Sequence, residues 1–180
     1  MLEKASENFA QVGVQICTVQ ADAQDLPFES DQFDYLVSRD LTWALRNPRK
    51  TYIEWIRVLK PRGKLLVVDS NHYLHYHDQE YAQAQKEIVP TYQMYGVDPT
   101  VMDKFAQEEL PLSRVRRPQW DVDTFLDLGL EHIELEGNRQ SFQDPASQKT
   151  KSVMQDFFVC ATKPSPELSP FMGTISFFKK

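Results

Sequence analysis

Three short stretches carry the residue types that could do chemistry. The first is Asp22-Ala23-Gln24-Asp25-Leu26-Pro27-Phe28, an acidic loop stiffened by its proline. The second is Ser38-Arg39-Asp40-Leu41-Thr42-Trp43. Asp40 is a carboxylate able to take a proton from a nucleophile, or equally a solvated loop carboxylate; Trp43 could floor a site or simply pack. The third is Asp69-Ser70-Asn71-His72-Tyr73. His72 is a candidate general base, although a lone loop histidine is more often only solvated. His72, His75, His77 and Asp78 together invite a metal reading. Their spacing matches no tight site and no helix sets the rings on one face, so no metal centre is expected. Farther on, Arg117 and Trp120 are suited to closing a pocket over an anionic or aromatic ligand, while Arg114, Arg116 and Arg117 together suit a solvated face as well.

The elements that must position these stretches are signalled most clearly between Phe33 and Asp69. Phe33 to Val37 is a short apolar run of strand type. Asn47 is a helix N-cap with Pro48 at the first helical position, where the missing N–H costs nothing. Tyr52, Trp55, Ile56 and Leu59 recur along one helix face. Pro61 stops the helix and Gly63 supplies a turn. Leu65 to Val68 is a continuous apolar run, as in a strand buried on both faces of a parallel sheet.

Before this unit, Met1 to Gln11 reads as the tail of an amphipathic helix ended by Gly13, and Val14 to Val19 alternates like a half-exposed strand. After it, residues 70–118 read as a helical insertion, with helices over Asp78–Val89 and behind Asp98-Pro99. Asp121 is expected to cap a short helix ended by Gly129. Strands are expected at Leu130–Leu135 and Phe157–Thr162, separated by a polar loop over 138–151, and residues 164–180 form a proline-punctuated tail. One α/β domain over 1–163 results. Ligands of such sheets sit outside the carboxyl ends of the strands, which is where the three chemical stretches fall.

Composition narrows the function classes. A net charge of -6 repels phosphate backbones and argues against nucleic-acid binding. No apolar run has membrane-span length, and the amino-terminal residues lack the apolar core of a signal peptide. Cys17 and Cys160 both lie in apolar strand-like runs and read as buried free thiols of a reducing compartment. A cytoplasmic location is the expectation.

At the three loops the sequence resembles a class I S-adenosylmethionine (SAM)-dependent methyltransferase of the ubiquinone/menaquinone C-methyltransferase-like subgroup. The resemblance rests on Asp22-Ala23 before Leu26-Pro27-Phe28, Phe33-Asp34 opening the next strand, and Arg57-Val58-Leu59-Lys60-Pro61-Arg62-Gly63 leading into Leu65–Val68. Ser38 to Trp43, Asp69-Ser70-Asn71 and Arg117-Pro118-Gln119-Trp120-Asp121 extend it more loosely. It implies SAM as cofactor, a small-molecule methyl acceptor, and an incomplete Rossmann-like sheet with a helical insertion before its last two strands. Asp22, Ala23, Gln24 and Leu26 would hold the adenine end, with Ser38 and Arg39 beside the cofactor. Asp40 would lie near the sulfonium, where relatives often carry Asn. Trp43, Asn71, Tyr73, Arg117 and Trp120 would face the acceptor.

The departure from the family is as informative as the match. None of the six glycines, Gly13, Gly63, Gly96, Gly129, Gly137 and Gly173, forms a G-x-G loop. The family's first two strands and glycine loop are therefore expected to be missing, and activity of this chain to be impaired. The expectations to set against it are a non-catalytic remnant that does not bind SAM and, more weakly, a nicotinamide-dependent reductase. An apolar sheet edge along Phe33–Val37, open to self-association, should result.

Overall fold

The computed structural model describes residues 2–85 and 109–166. The helix expected behind Asp98-Pro99 and most of the tail lie outside these residues. The described elements are α1 (Leu2–Gln11), β1 (Phe33–Arg39), α2 (Pro48–Val58), β2 (Leu59–Ser70), α3 (Gln79–Gln85), α4 (Gln119–Asp127), β3 (Glu131–Gln143) and β4 (Thr150–Thr162), with one-turn helices at Thr42–Ala44, Leu74–Tyr76 and Pro111–Arg114.

The strands form one mixed sheet in the order β1-β2-β4-β3. β1 and β2 are parallel and joined through α2, whereas β4 is antiparallel to both of its neighbours. The α2 helix begins as its sequence dictates: Asn47 Oδ1 accepts the Lys50 N–H at 3.1 Å, and Pro48 occupies the first turn. Its Tyr52 and Trp55 join Leu65, Val67, Phe125, Phe157 and Val159 in the main core, so α2 and α4 cover one face of the sheet. A smaller cluster of Leu74, Tyr81, Ala84, Phe142 and Val153 seats α3 against the β3–β4 hairpin.

Several expectations are corrected. Pro61 and Gly63 do not separate α2 from β2; the strand starts at Leu59 and runs through them, with a register irregularity between Phe33 and Tyr35. A side chain at Gly63 would meet the Lys60 carbonyl oxygen at 2.8 Å, so the bulge requires glycine. Leu65, Val67 and Asp69 are buried while Leu66 and Val68 are half-buried, so only one face of β2 is fully covered. Val14–Val19 forms no strand, because an edge strand needs a neighbour's ladder and none lies there among the described residues. Cys17 is accordingly exposed, while Cys160 is buried. The expected polar loop over 138–151 is mostly strand: β3 and β4 form a long hairpin whose cross-strand partners outweigh polar composition. Residue 121 does not cap α4, which starts two residues earlier; Asp121 is wholly buried. Gly129, at φ 79°, ends that helix as expected.

Two apolar surfaces stay open. α1 buries none of its residues. On β1, the outermost strand of the sheet, Tyr35 and Val37 are 65% and 63% exposed.

Candidate active site at the carboxyl ends of the first two strands

Asp69 ends the inward-facing row of β2, and a closed polar network grows from it. Its Oδ2 accepts from the Thr42 hydroxyl, from the Trp43 N–H at 3.0 Å and from Arg117 Nη1 at 2.9 Å. Arg117 also donates to Asp121 through Nε and Nη2, at 2.8 and 2.7 Å, and to Thr42 Oγ1 at 2.6 Å. Tyr52 donates its hydroxyl to Asp121. The Arg117 guanidinium lies 4.8 Å from the Phe157 ring centroid. Burial works against the charge on Arg117, but Asp121, Tyr52 and Asp69 more than offset it and its pKa is raised. Burial, then Asp121, pushes the Tyr52 hydroxyl well above its ordinary value, so it stays neutral. The network fixes the Thr42–Ala44 turn to the end of β2, and with it Trp43, whose indole N–H donates to the Asp40 carbonyl at 3.2 Å.

Trp43 packs with its ring centroid 5.0 Å from that of His72 and 5.4 Å from that of Tyr73, which continues toward Tyr76. His72 Nε2 lies 3.9 Å from Asp69 Oδ1, beyond hydrogen-bond reach. That nitrogen is buried and has no hydrogen-bond partner among the described residues. Burial lowers the imidazole pKa, against the opposing pull of Asp69 and Asp40, so His72 is neutral near pH 7.

The acidic loop is held from outside by α2. The Leu26 N–H donates to Glu54 Oε1 at 2.8 Å, Arg57 Nη2 reaches the Leu26 carbonyl at 3.2 Å, and the Trp55 indole donates to the Ala23 carbonyl at 3.1 Å. The Arg57 hydrogen bonds hold the Glu54 carboxyl down at about 2. Asp22 caps its own loop by accepting the Gln24 N–H at 2.9 Å. Ala23, Leu26, Phe28, Leu36, Ser38 and Trp55 line a cavity of about 440 Å³ beside β1. Ser38 is 6% exposed and its hydroxyl oxygen has no partner among the described residues. The second and third stretches thus lie at the carboxyl ends of β1 and β2, and the first packs along β1 and against α2.

Parts of the chain are similar to known proteins. Residues 1–67 match the methyltransferase domain model. The chain is 31% identical over 114 residues to the ubiquinone/menaquinone biosynthesis C-methyltransferase UbiE of Bordetella parapertussis, covering 61% of this chain and 39% of that protein. It is 44% identical over 54 residues to the demethylmenaquinone methyltransferase of Clavibacter sepedonicus, covering 28% of this chain and 21% of that protein. Over these stretches the chain is similar to methyltransferases. It spans well under half the length of these curated relatives. In fold it resembles a SAM-dependent methyltransferase from Thermotoga maritima, with a TM-score of 0.51, 18% identity, and coverage of 89% of this chain and 70% of that one.

The residues expected to face the acceptor divide into two sets. Trp43 and Tyr73 sit with His72 at the strand ends. Asn71, Arg117 and Trp120 do not line that place. Asn71 is buried, and its amide nitrogen donates to the carbonyls of Arg117 and Met154 at 2.7 and 2.9 Å. Arg117 is only 2% exposed and is engaged by the interior carboxylates of Asp69 and Asp121. Trp120 packs against Tyr52 and the main core. Arg39 is exposed and lies 3.4 Å from the Asp40 carboxylate. Thr42, Tyr52, Glu54 and Asp121 escaped sequence reasoning. One signal was available: Arg117 and Asp121 are opposite charges four residues apart at the start of a helix.

Proposed function

We propose that the chain carries the adenine-side and acceptor-side parts of a SAM-dependent methyltransferase acting on a small molecule. The observation that carries this reading is the buried, unpartnered hydroxyl of Ser38 on the wall of the cavity beside β1, next to the braced loop from Ala23 to Leu26. A buried polar atom without a partner is costly unless a ligand or water completes it. Ala23 and Leu26 would pack on the adenine and Ser38 would hydrogen-bond the bound molecule. SAM, when bound, supplies an electrophilic methyl group. The chain's own share is orientation: Trp43, held by Asp69 and Asp40, offers a flat wall with Tyr73 against which an acceptor can be aligned.

The residues suit the adenine end better than the methionine end, since no G-x-G loop occurs in the 180 residues. That feature also supports the second reading, a non-catalytic chain that does not bind SAM. Amide NMR of the 180-residue chain, titrated with SAM, separates the two. Weak, millimolar shifts confined to residues 22–28 and 38–41 are expected. No shift in those residues overturns the proposed site. Saturable micromolar binding overturns the view that the cofactor site is incomplete within these residues.

A further inference from the structure

Asp40, Asp69 and His72 converge on one point, and we propose that they bind a divalent transition cation of the zinc or manganese class. One oxygen of each carboxylate and one imidazole nitrogen all lie within 4.8 Å of one another. Ligand atoms bonded to one such ion stand at most about 4.2 Å apart, given metal–ligand bonds near 2.1 Å. Asp69 Oδ1 and His72 Nε2, 3.9 Å apart, already meet that limit. Asp40 has to close by less than about an ångström, and its side chain is 52% exposed at the open end of β1, free to do so.

Two further observations point to a cation. The first is the state of His72. Its Nε2 is shut away from solvent without a hydrogen-bond partner among the described residues. The second is the charge count. In the interior Arg117 faces both Asp69 and Asp121, so one positive charge meets two negative ones. Tyr52 stays neutral, and Asp40 adds a second net negative charge beside His72. Arg39, at 3.4 Å from Asp40, offsets this only through solvent, since both side chains are largely exposed. Arg117 contacts Asp69 through Oδ2, leaving Oδ1 with only the Ser70 N–H at 2.8 Å.

The donor set decides the metal. One imidazole with two carboxylates suits manganese or zinc better than calcium, which takes oxygen ligands alone. This differs from the cluster suggested by sequence spacing, because His72 is joined by Asp40 and Asp69, not by His75, His77 and Asp78. It assigns His72 Nε2 to a ligand in place of a proton acceptor.

The test needs neither SAM nor an acceptor, so its outcome is separate from that of the methyl-transfer reading. Manganese(II) is the probe, because exposed Cys17 competes poorly for it. The full chain is titrated at pH 7.5 and free manganese is read by electron paramagnetic resonance. One equivalent bound with micromolar affinity is expected. Asp40→Asn and His72→Gln should each weaken it at least about tenfold. Both residues are partly exposed, and circular dichroism checks that the variants fold. Absence of saturable binding, or binding unchanged in either folded variant, overturns the site.

Discussion

The two sides of β1 present opposite solutions to the same problem. Toward β2, the strand ends in a network where Arg117, Asp69, Asp121, Thr42 and Tyr52 complete one another out of reach of water. Away from β2, the strand presents Tyr35 and Val37 to solvent, and Ser38 lines the neighbouring cavity with an unpartnered hydroxyl. The first side holds its geometry from within the chain. The second is a surface with unused capacity for contact. This difference locates rigidity and binding separately: the network sets where Trp43 and His72 stand, and the open side is where something else can be received.

The comparison breaks most severely at Arg117. Arg117→Ala leaves Asp69 and Asp121 buried and unpaired, and losing one partner of a buried ion pair costs about 3–5 kcal/mol. The unfolding free energy from urea titration should fall by that amount at unchanged slope, or folding should fail outright. The exposed pair Arg49–Asp127, 3.5 Å apart, is the control: Arg49→Ala should change stability by less than about 1 kcal/mol. Equal effects at the two arginines would erase the distinction between the two sides.

The network also shows what a sequence can and cannot disclose. The helix start at Asn47-Pro48, the stop at Gly129 and the β1–α2–β2 unit were legible because each rests on local backbone chemistry. The loops at the strand ends were legible because α/β connectivity puts them there. Arg117 was not, because its role depends on Asp69, 48 residues away, and on burial by α4, which no local pattern encodes. Val14–Val19 failed for the opposite reason. Its alternation was real, but a strand exists only with a neighbour to pair with. The β3–β4 hairpin was underestimated in the same way, since polar residues on its exposed positions read as loop until cross-strand pairing is known.

A smaller effect is expected where the cavity is braced. Glu54 accepts both the Leu26 N–H and Arg57, so Glu54→Gln trades charge-assisted hydrogen bonds for neutral ones and should cost about 1–2 kcal/mol. The same group has a pH signature. Its folded-state pKa of about 2 lies below the ordinary 4.5, so the folded chain holds this proton less tightly than the unfolded one. The stabilisation is whole above about pH 4.5 and is lost as pH falls through about 2. Amide exchange at Leu26 should quicken across that window in the parent chain. In Glu54→Gln it should be fast throughout. An exchange rate independent of pH and of the substitution would mean that α2 does not brace the loop.

The smallest effect on stability belongs to the open edge, and there the contrast becomes sharpest. Tyr35 and Val37 are largely exposed in the folded chain, so replacing both by Lys removes little burial and should move the urea midpoint by less than about 0.5 kcal/mol each. Association is another matter. An unpaired outer strand with apolar side chains invites a second strand, and lysine at such positions is a known deterrent. The parent chain should bind an apolar dye and self-associate at tens of micromolar in sedimentation velocity. Tyr35→Lys with Val37→Lys should be monomeric, dye-negative and equally stable. Arg117→Ala should do the reverse, losing stability first. A parent chain that is already monomeric and dye-negative would show that the edge is covered, and the open side would then have to be sought at the unburied face of α1.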